Sequence, residues 1–153
     1  MKPLVYLGAD HAGYSLKESL EEHLGMRGFA VEDLGAHRLD ETDDYPAIAA
    51  RVAKAVLANP RSLGILSCGN AEGMAIAANK FDGIRAGVGF SIEAAKTMRT
   101  DDDANIICIP GRMKIVDDPL RVAEAFLATA FSSAERHERR LQQLQNIETS
   151  GDV

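Results

Sequence analysis

Cys68 opens the run SerCysGlyAsnAlaGluGly at residues 67–73, between an apolar stretch ending at Leu66 and a helical stretch beginning near Met74. A thiol at such a strand-to-helix junction meets unpaired N–H groups and the positive end of a helix dipole, which favour thiolate over thiol. Cys68 is therefore a candidate base or nucleophile; the alternative is a buried cysteine acting as a small hydrophobe. Asp10 and His11 directly follow another apolar run, where they form either part of the same site or a turn and cap. The loop from Gly69 to Gly73 lacks the lysine and following hydroxyl of a P-loop, so its backbone N–H groups are read as donors to an oxyanion. Arg136 and Arg140 stand four apart, which on a helix places them on one face about 5–6 Å apart at Cβ. Two guanidiniums so placed can clamp a phosphate, and the same spacing also suits a solvated face on which they pair with Glu135 and Glu138.

Positioning these groups falls to an alternation of short apolar runs and helical stretches. Runs too short for helices, with β-branched residues, occur at residues 4–7, 29–31, 63–66, 84–88 and 106–109, and are read as five strands. Leu16, Leu20 and Leu24 repeat every four residues, and Ile48, Val52, Ala55 and Val56 form a second helical stripe. Pro46 suits a first helical position and Asn59–Pro60 a stop; Asp118 before Pro119 reads as another start. Ser132 with Glu135 reads as a capping box opening a last helix through about Ile147, whose Leu141, Leu144 and Ile147 suit packing on a neighbouring subunit. The fold class predicted is α/β: a mostly parallel sheet with helices on both faces and right-handed crossovers. In such a sheet ligands gather at the carboxyl ends of the strands, where Asp10, His11, Cys68, Phe90 with Ser91, and Gly111 with Arg112 all fall.

The 153 residues suit one domain, expected over 1–148, with 149–153 fraying as a tail. Two cysteines and no leader-like N-terminus point to a reducing, cytoplasmic setting. No apolar run approaches the roughly 18–20 residues that span a bilayer. A net charge of −6 argues against nucleic acid or anionic membrane as a partner, although Arg136, Arg139 and Arg140 leave a local basic site near the end.

The motifs GlyAlaAspHisAlaGly (8–13), AspTyrPro (44–46), GlyIleLeuSerCysGly (64–69), IleAlaAlaAsnLys (76–80), GlyIleArgAla (83–86) and ArgHis (136–137) resemble, in order and spacing, those of ribose-5-phosphate isomerase B. The wider family includes galactose-6-phosphate and allose-6-phosphate isomerases. The resemblance implies a five-stranded parallel α/β/α sandwich of Rossmann-like layout, and a homodimer or dimer of dimers. It also implies interconversion of an aldose phosphate and a ketose phosphate without metal or organic cofactor. It makes Cys68 the base between C1 and C2, Asp10, His11 and Tyr45 the residues around the sugar, and Gly69, Asn70, Ala71, Glu72 and Gly73 the segment holding the enediolate oxygen. By the same resemblance Arg136 and Arg140, with His137 beside them, reach the phosphate from the partner subunit.

The chain departs from the pattern at the site itself. Asn70 and Ala71 stand where the family usually has Thr and Gly, and Asp101 and Asp102 where it usually has His and Asn. That histidine is associated with opening the furanose ring, so Asp101 or His11 inherits the work, or the sugar binds already open. Glu72 is a less favoured base than Cys68, because the glutamate that some members use aligns with Met74. The leading expectation is isomerisation of ribose 5-phosphate to ribulose 5-phosphate. Alternatives are an aldose phosphate of four or six carbons, or a phosphosugar-binding protein without catalysis.

Overall fold

The computed structural model describes all 153 residues. Five strands, β1 (Leu4–Ala9), β2 (Val31–Asp33), β3 (Ser62–Cys68), β4 (Ala86–Val88) and β5 (Ile106–Pro110), are connected through α1 (Tyr14–Met26), α2 (Tyr45–Ala58), α3 (Glu72–Ala78) and α4 (Ile92–Thr100). Two helices follow, α5 (Pro119–Ala128) and α6 (Glu135–Ser150). Every pairing is parallel, in the order β2-β1-β3-β5-β4. The chain thus leaves β1 in one direction for β2 and in the other for β3, and the crevice between β1 and β3 is the topological switch point where open α/β sheets bind ligands.

Two apolar layers hold the sheet. Val5, Leu7, Leu63, Ile65, Ile107 and Ile109 point to one face and pack on Leu20 and Leu24 of α1, Met98 of α4 and Phe126 of α5. Tyr6, Leu66, Cys68, Ile106 and Cys108 point to the other, against Ile48 and Val52 of α2 and Met74 of α3. β1, β3 and β5 are covered on both sides, which is why they read as unbroken apolar runs rather than alternating ones.

The structure moves several boundaries. β2 lies at Val31–Asp33 rather than 29–31, because the Phe29 N–H is spent on the Leu24 carbonyl in the turn leaving α1. β4 begins at Ala86 rather than Ile84: the Ile84 N–H closes a turn on Phe81, and that of Arg85 donates to the Asn105 side chain. The Ser132–Glu135 capping box does not form. Ser133 takes φ 51°, Ser132 Oγ accepts from the Ala134 N–H, and the N-cap is Ala134 with no side-chain bond. Asp118 does cap α5, accepting from the Leu120 N–H. α6 continues through Thr149 to Ser150, past the expected end near Ile147.

α6 lies in neither layer. His137 near its start faces Asp101, and Glu148 near its end accepts from the Gly83 N–H, so it is anchored to the loops that precede β5 and β4. Leu144 and Ile147 remain exposed.

One buried charge ties α1 to the edge of the sheet. Lys17 is 1% exposed; its ammonium binds the Asp33 carboxylate at the end of β2 and Glu18 at 2.8 Å, and lies 5.2 Å from the centre of the Tyr14 ring. Burial alone would lower the Lys17 pKa, but the two carboxylates outweigh it and the net shift is upward. Lys17→Met leaves Asp33 half-buried without its cation and is expected to cost about 3–5 kcal/mol in urea unfolding. Adding Asp33→Asn should recover most of that loss, because the amide still accepts from Gly35 N–H and no charge is left behind.

Candidate active site

At the carboxyl ends of β1 and β3 the chain folds back on itself. The Asp10 N–H donates to the Ser67 carbonyl at 3.3 Å, and Asp10 Oδ1 accepts from the N–H groups of Ala12 (2.9 Å) and Gly13 (3.1 Å). The resulting turn presses Gly13 so close to β3 that a Cβ there would lie 2.4 Å from the Ser67 carbonyl carbon. Asp10 is 6% exposed and its Oδ2 has no partner within the chain. His11 is half-buried, and both its backbone N–H and Nδ1 meet Asp43 Oδ1, at 2.9 and 2.8 Å. The hydrogen bond to Asp43 is the largest influence on His11 and raises its pKa; partial burial opposes this, the Asp10 charge adds to it and Arg112 subtracts.

Cys68, the last residue of β3, is 4% exposed and pairs with Pro110. Its carbonyl accepts from the Gly111 N–H, and that of Gly69 accepts from the Arg112 N–H, so the glycine-rich loop is tied to the end of β5. The turn into α3 is made by Ala71 at φ 68°, a left-handed conformation that costs a residue with a Cβ about 1–2 kcal/mol. Asn70 Oδ1 takes the Glu72 N–H at 3.1 Å, which withdraws that donor from any ligand. The N–H groups of Gly69, Asn70 and Ala71 have no partner in the chain. Glu72 is exposed at the first position of α3. Tyr45, at the start of α2, closes the crevice opposite the loop with its ring against Gly73. Cys108 lies behind Cys68 in the same apolar layer, and complete burial, with the Cys68 and Glu72 charges, pushes its pKa far up. It stays a neutral thiol, whereas Cys68 ends its strand at the crevice.

Asp10, His11, Tyr45, Cys68 and the 69–73 loop therefore meet as expected from sequence, Arg112 joins them from the end of β5, where the sequence also placed it, and Asp43 is added by the fold. Arg112 had been given a place but no role, and Asp43 had gone unassigned. Arg112 is marked by its place immediately after β5, while nothing local marks Asp43, which needs the fold to bring it to His11. Asp10, His11 and Asp43 place ligand atoms within 4.8 Å of one another. Asp10 Oδ1 and Asp43 Oδ1 are each already taken by two donors, so this trio is closed by hydrogen bonds rather than presented to a cation.

The remaining candidates lie elsewhere. Asp101 and Asp102 precede β5, at the amino end of a parallel sheet, so roughly 15 Å of strand separates them from the Cys68 end. Asp101 Oδ1 accepts from Thr100 Oγ1 at 2.8 Å and stands 3.6 Å from Nε2 of His137, which is 5% exposed. The Asp102 carbonyl accepts from Arg85. Arg136 and Arg140 are exposed beside them on α6 and form no ion pair, so the pairing with Glu135 and Glu138 is not seen. Within one chain, these five residues do not reach Cys68.

The family model described as Ribose/Galactose Isomerase matches residues 5–144. The chain belongs to that family. Ribose-5-phosphate isomerase B of Mycobacterium tuberculosis (strain ATCC 25618 / H37Rv) is 44% identical over 149 residues, covering 97% of this chain and 92% of the relative. Among solved structures of family members, ribose-5-phosphate isomerase B from Mycoplasma genitalium with bound ribulose-5-phosphate superposes with a TM-score of 0.91 at 35% identity, covering 96% of this chain and 97% of that one. The type B enzyme from Leishmania infantum gives 0.91 at 35% identity, covering 99% of each chain. The five-stranded α/β/α fold predicted from sequence is thus the family's fold. No helix is long and apolar enough to cross a membrane.

A Cβ on Gly73 would lie 2.7 Å from Cζ of Tyr45. Gly73→Ala should therefore displace the ring and cost about 1–3 kcal/mol, the usual penalty of overpacking. Thermal unfolding of Gly73→Ala against the Gly73→Ala/Tyr45→Ala double variant checks this, since removing the ring should abolish the Gly73→Ala penalty.

Proposed function

We propose that this protein is an aldose–ketose isomerase of phosphorylated sugars, interconverting ribose 5-phosphate and ribulose 5-phosphate through an enediolate. The observation that carries the reading is Cys68 at the β1–β3 switch point, beside the unpaired N–H groups of Gly69, Asn70 and Ala71, in a chain of an isomerase family. Such an isomerisation needs a base over the C1–C2 edge, donors aimed at the developing oxyanion, and a charge clamp on the remote phosphate. Cys68 moves the proton between C1 and C2. The loop N–H groups hold the oxyanion, with the Glu72 N–H excluded because Asn70 holds it. Asp10 Oδ2 and Tyr45 bind sugar hydroxyls, and Arg112 adds positive charge at the same crevice.

The phosphate clamp comes from a second copy of the chain. Arg136 and Arg140 are unpaired, α6 lies outside both layers with Leu144 and Ile147 uncovered, and the clamp is at the wrong end of its own sheet. A homodimer that lays α6 across its neighbour brings Arg136, His137 and Arg140, with Asp101 and Asp102, to the other chain's Cys68. The phosphate then supplies binding energy that orients the reacting carbons. Both cysteines are free thiols, as suits work in the reducing cytoplasm.

Catalysis is separated from binding by solvent deuterium exchange at C2 of ribose 5-phosphate, which an isomerase promotes and a binder does not. A panel of four-, five- and six-carbon aldose phosphates tests the sugar length. Cys68→Ala should keep the fold and ligand binding while lowering kcat by roughly 10²- to 10⁴-fold, the worth of a positioned general base. Unchanged kcat would remove Cys68 from the mechanism and turn attention to Glu72.

Co-refolding inactive Cys68→Ala with inactive Arg136→Ala/Arg140→Ala should restore about a quarter of wild-type activity: half of randomly paired dimers are mixed, and half their sites combine both intact elements. No recovery in verified mixed dimers would place the arginines outside the partner's site.

A further inference from the structure

At the amino end of the sheet, opposite the Cys68 crevice, a cavity of about 480 Å³ opens between residues 1–3, the Pro60–Leu63 turn into β3, Arg99 near the end of α4 and residues 127–130 at the end of α5. Its size lies within the roughly 300–1,000 Å³ of small-molecule sites. Leu63, Leu127 and Ala130 give it an apolar wall, and Lys2, Arg61 and Arg99 are its charged side chains. No carboxylate lines it. The chain carries a net charge of −6, and each of four other sizeable cavities is lined by at least one Asp or Glu. A lining whose charges are all cationic therefore reverses the protein's charge locally and favours an anion.

Arg99 is the fixed part of that lining. Its side chain is 13% exposed; Nε donates to the Thr129 carbonyl at 3.1 Å, and Nη1 donates to the Ala104 carbonyl at 2.6 Å and to Asp103 Oδ1 at 2.7 Å. The guanidinium carbon lies 5.7 Å from the centre of the Phe126 ring. Nη2 has no partner in the chain and is not sealed from solvent, so it is the donor left for a ligand. Asp103 does not cancel the local charge, because Arg85 holds its other oxygen at 3.1 Å and one carboxylate stands between two guanidiniums. Arg61 is exposed and forms no ion pair. The Lys2 ammonium is spent on the Arg27 carbonyl and lies 4.7 Å from the centre of the Phe29 ring, so it adds charge rather than a contact.

We propose that this cavity binds a phosphate monoester with an apolar body, the phosphate taken by Arg99 Nη2 and the Arg61 guanidinium, and the body lying on Leu63, Leu127 and Ala130. Planar guanidiniums match phosphate oxygens in geometry and stay charged at every physiological pH. Arg99 is already immobilised by its three acceptors, so binding orders only Arg61 and the entropic cost is small. The apolar wall favours an ester over inorganic phosphate, because the ester's carbon surface gains by leaving water. The site is separate from the Cys68 crevice, since its segments lead into β1 and β3 or end α4 and α5, at the far end of a parallel sheet. It does not depend on the isomerase reading.

The test is a titration of the protein with phenyl phosphate, inorganic phosphate and phenol, followed through assigned side-chain methyl signals by two-dimensional NMR. Phenyl phosphate should move Leu63, Leu127 and Ala130, inorganic phosphate should move them only at higher concentration, and phenol should leave them in place. Added sodium chloride should weaken phenyl phosphate, because the Arg61 charge is exposed to screening. Arg61→Glu, whose wild-type side chain bonds nothing in the chain, should weaken phenyl phosphate by roughly tenfold or more, the worth of a charged hydrogen bond. The proposal is overturned by no movement at millimolar phenyl phosphate, by movement confined to Ala71 and Met74 at the Cys68 crevice, or by phenol binding as well as phenyl phosphate. An Arg61→Glu variant that binds phenyl phosphate as wild type does would overturn it too. Should that variant fail to fold, the three wild-type titrations decide the matter alone.

Discussion

The packing of three strand ends against one another governs this site. Backbone bonds from Asp10 to Ser67, Gly111 to Cys68 and Arg112 to Gly69 stitch the loops after β1, β3 and β5 together, and the Asp10 carboxylate folds the 10–13 turn onto β3. Only a residue without a Cβ fits at Gly13, where the turn meets the Ser67 carbonyl. Backbone contacts thus set the position of Cys68, while the Asp10 carboxylate and the missing Cβ of Gly13 set that of the turn carrying His11. The loop beyond Cys68 inherits the same rigidity, which lets it hold the left-handed Ala71 and leave three N–H groups unpaired.

Parallel strand direction has a second consequence. Every group that follows a strand gathers at one end of the sheet, and every group that precedes one gathers at the other. Asp101 and Asp102 belong to the second set, and α6 is anchored there through His137 and Glu148. Arg136 and Arg140 therefore lie toward the opposite end of the sheet from Cys68, and Leu144 and Ile147 on the same helix are exposed.

The two cysteines are both buried but differ in their place along a strand. Both point into the layer beneath α2 and α3, but Cys108 lies within β5 and is fully covered, where ionisation is opposed from every side. Cys68 ends β3, where the backbone turns away and the next three N–H groups are free. His11 is differentiated in the same manner by Asp43, a residue thirty-two positions away in the chain.

Sequence alone determined the fold class, the strand and helix alternation and the residues at the carboxyl ends of β1 and β3, because these depend on local periodicity and on the rule that parallel strands deliver their following loops to one edge. It misplaced β2 and the start of β4 by about two residues and invented a cap at Ser132, since Phe29, Ile84 and Ser132 satisfy backbone groups in turns that apolar content does not reveal. Only the tertiary structure decided that Asp43 grips His11, that Asn70 withdraws the Glu72 N–H, and that Asp101 faces His137 far from Cys68. Each of these is a pairing between side chains and backbone brought together by chain reversal, and a one-dimensional pattern carries neither the direction of a carboxylate nor the end of the sheet at which it arrives.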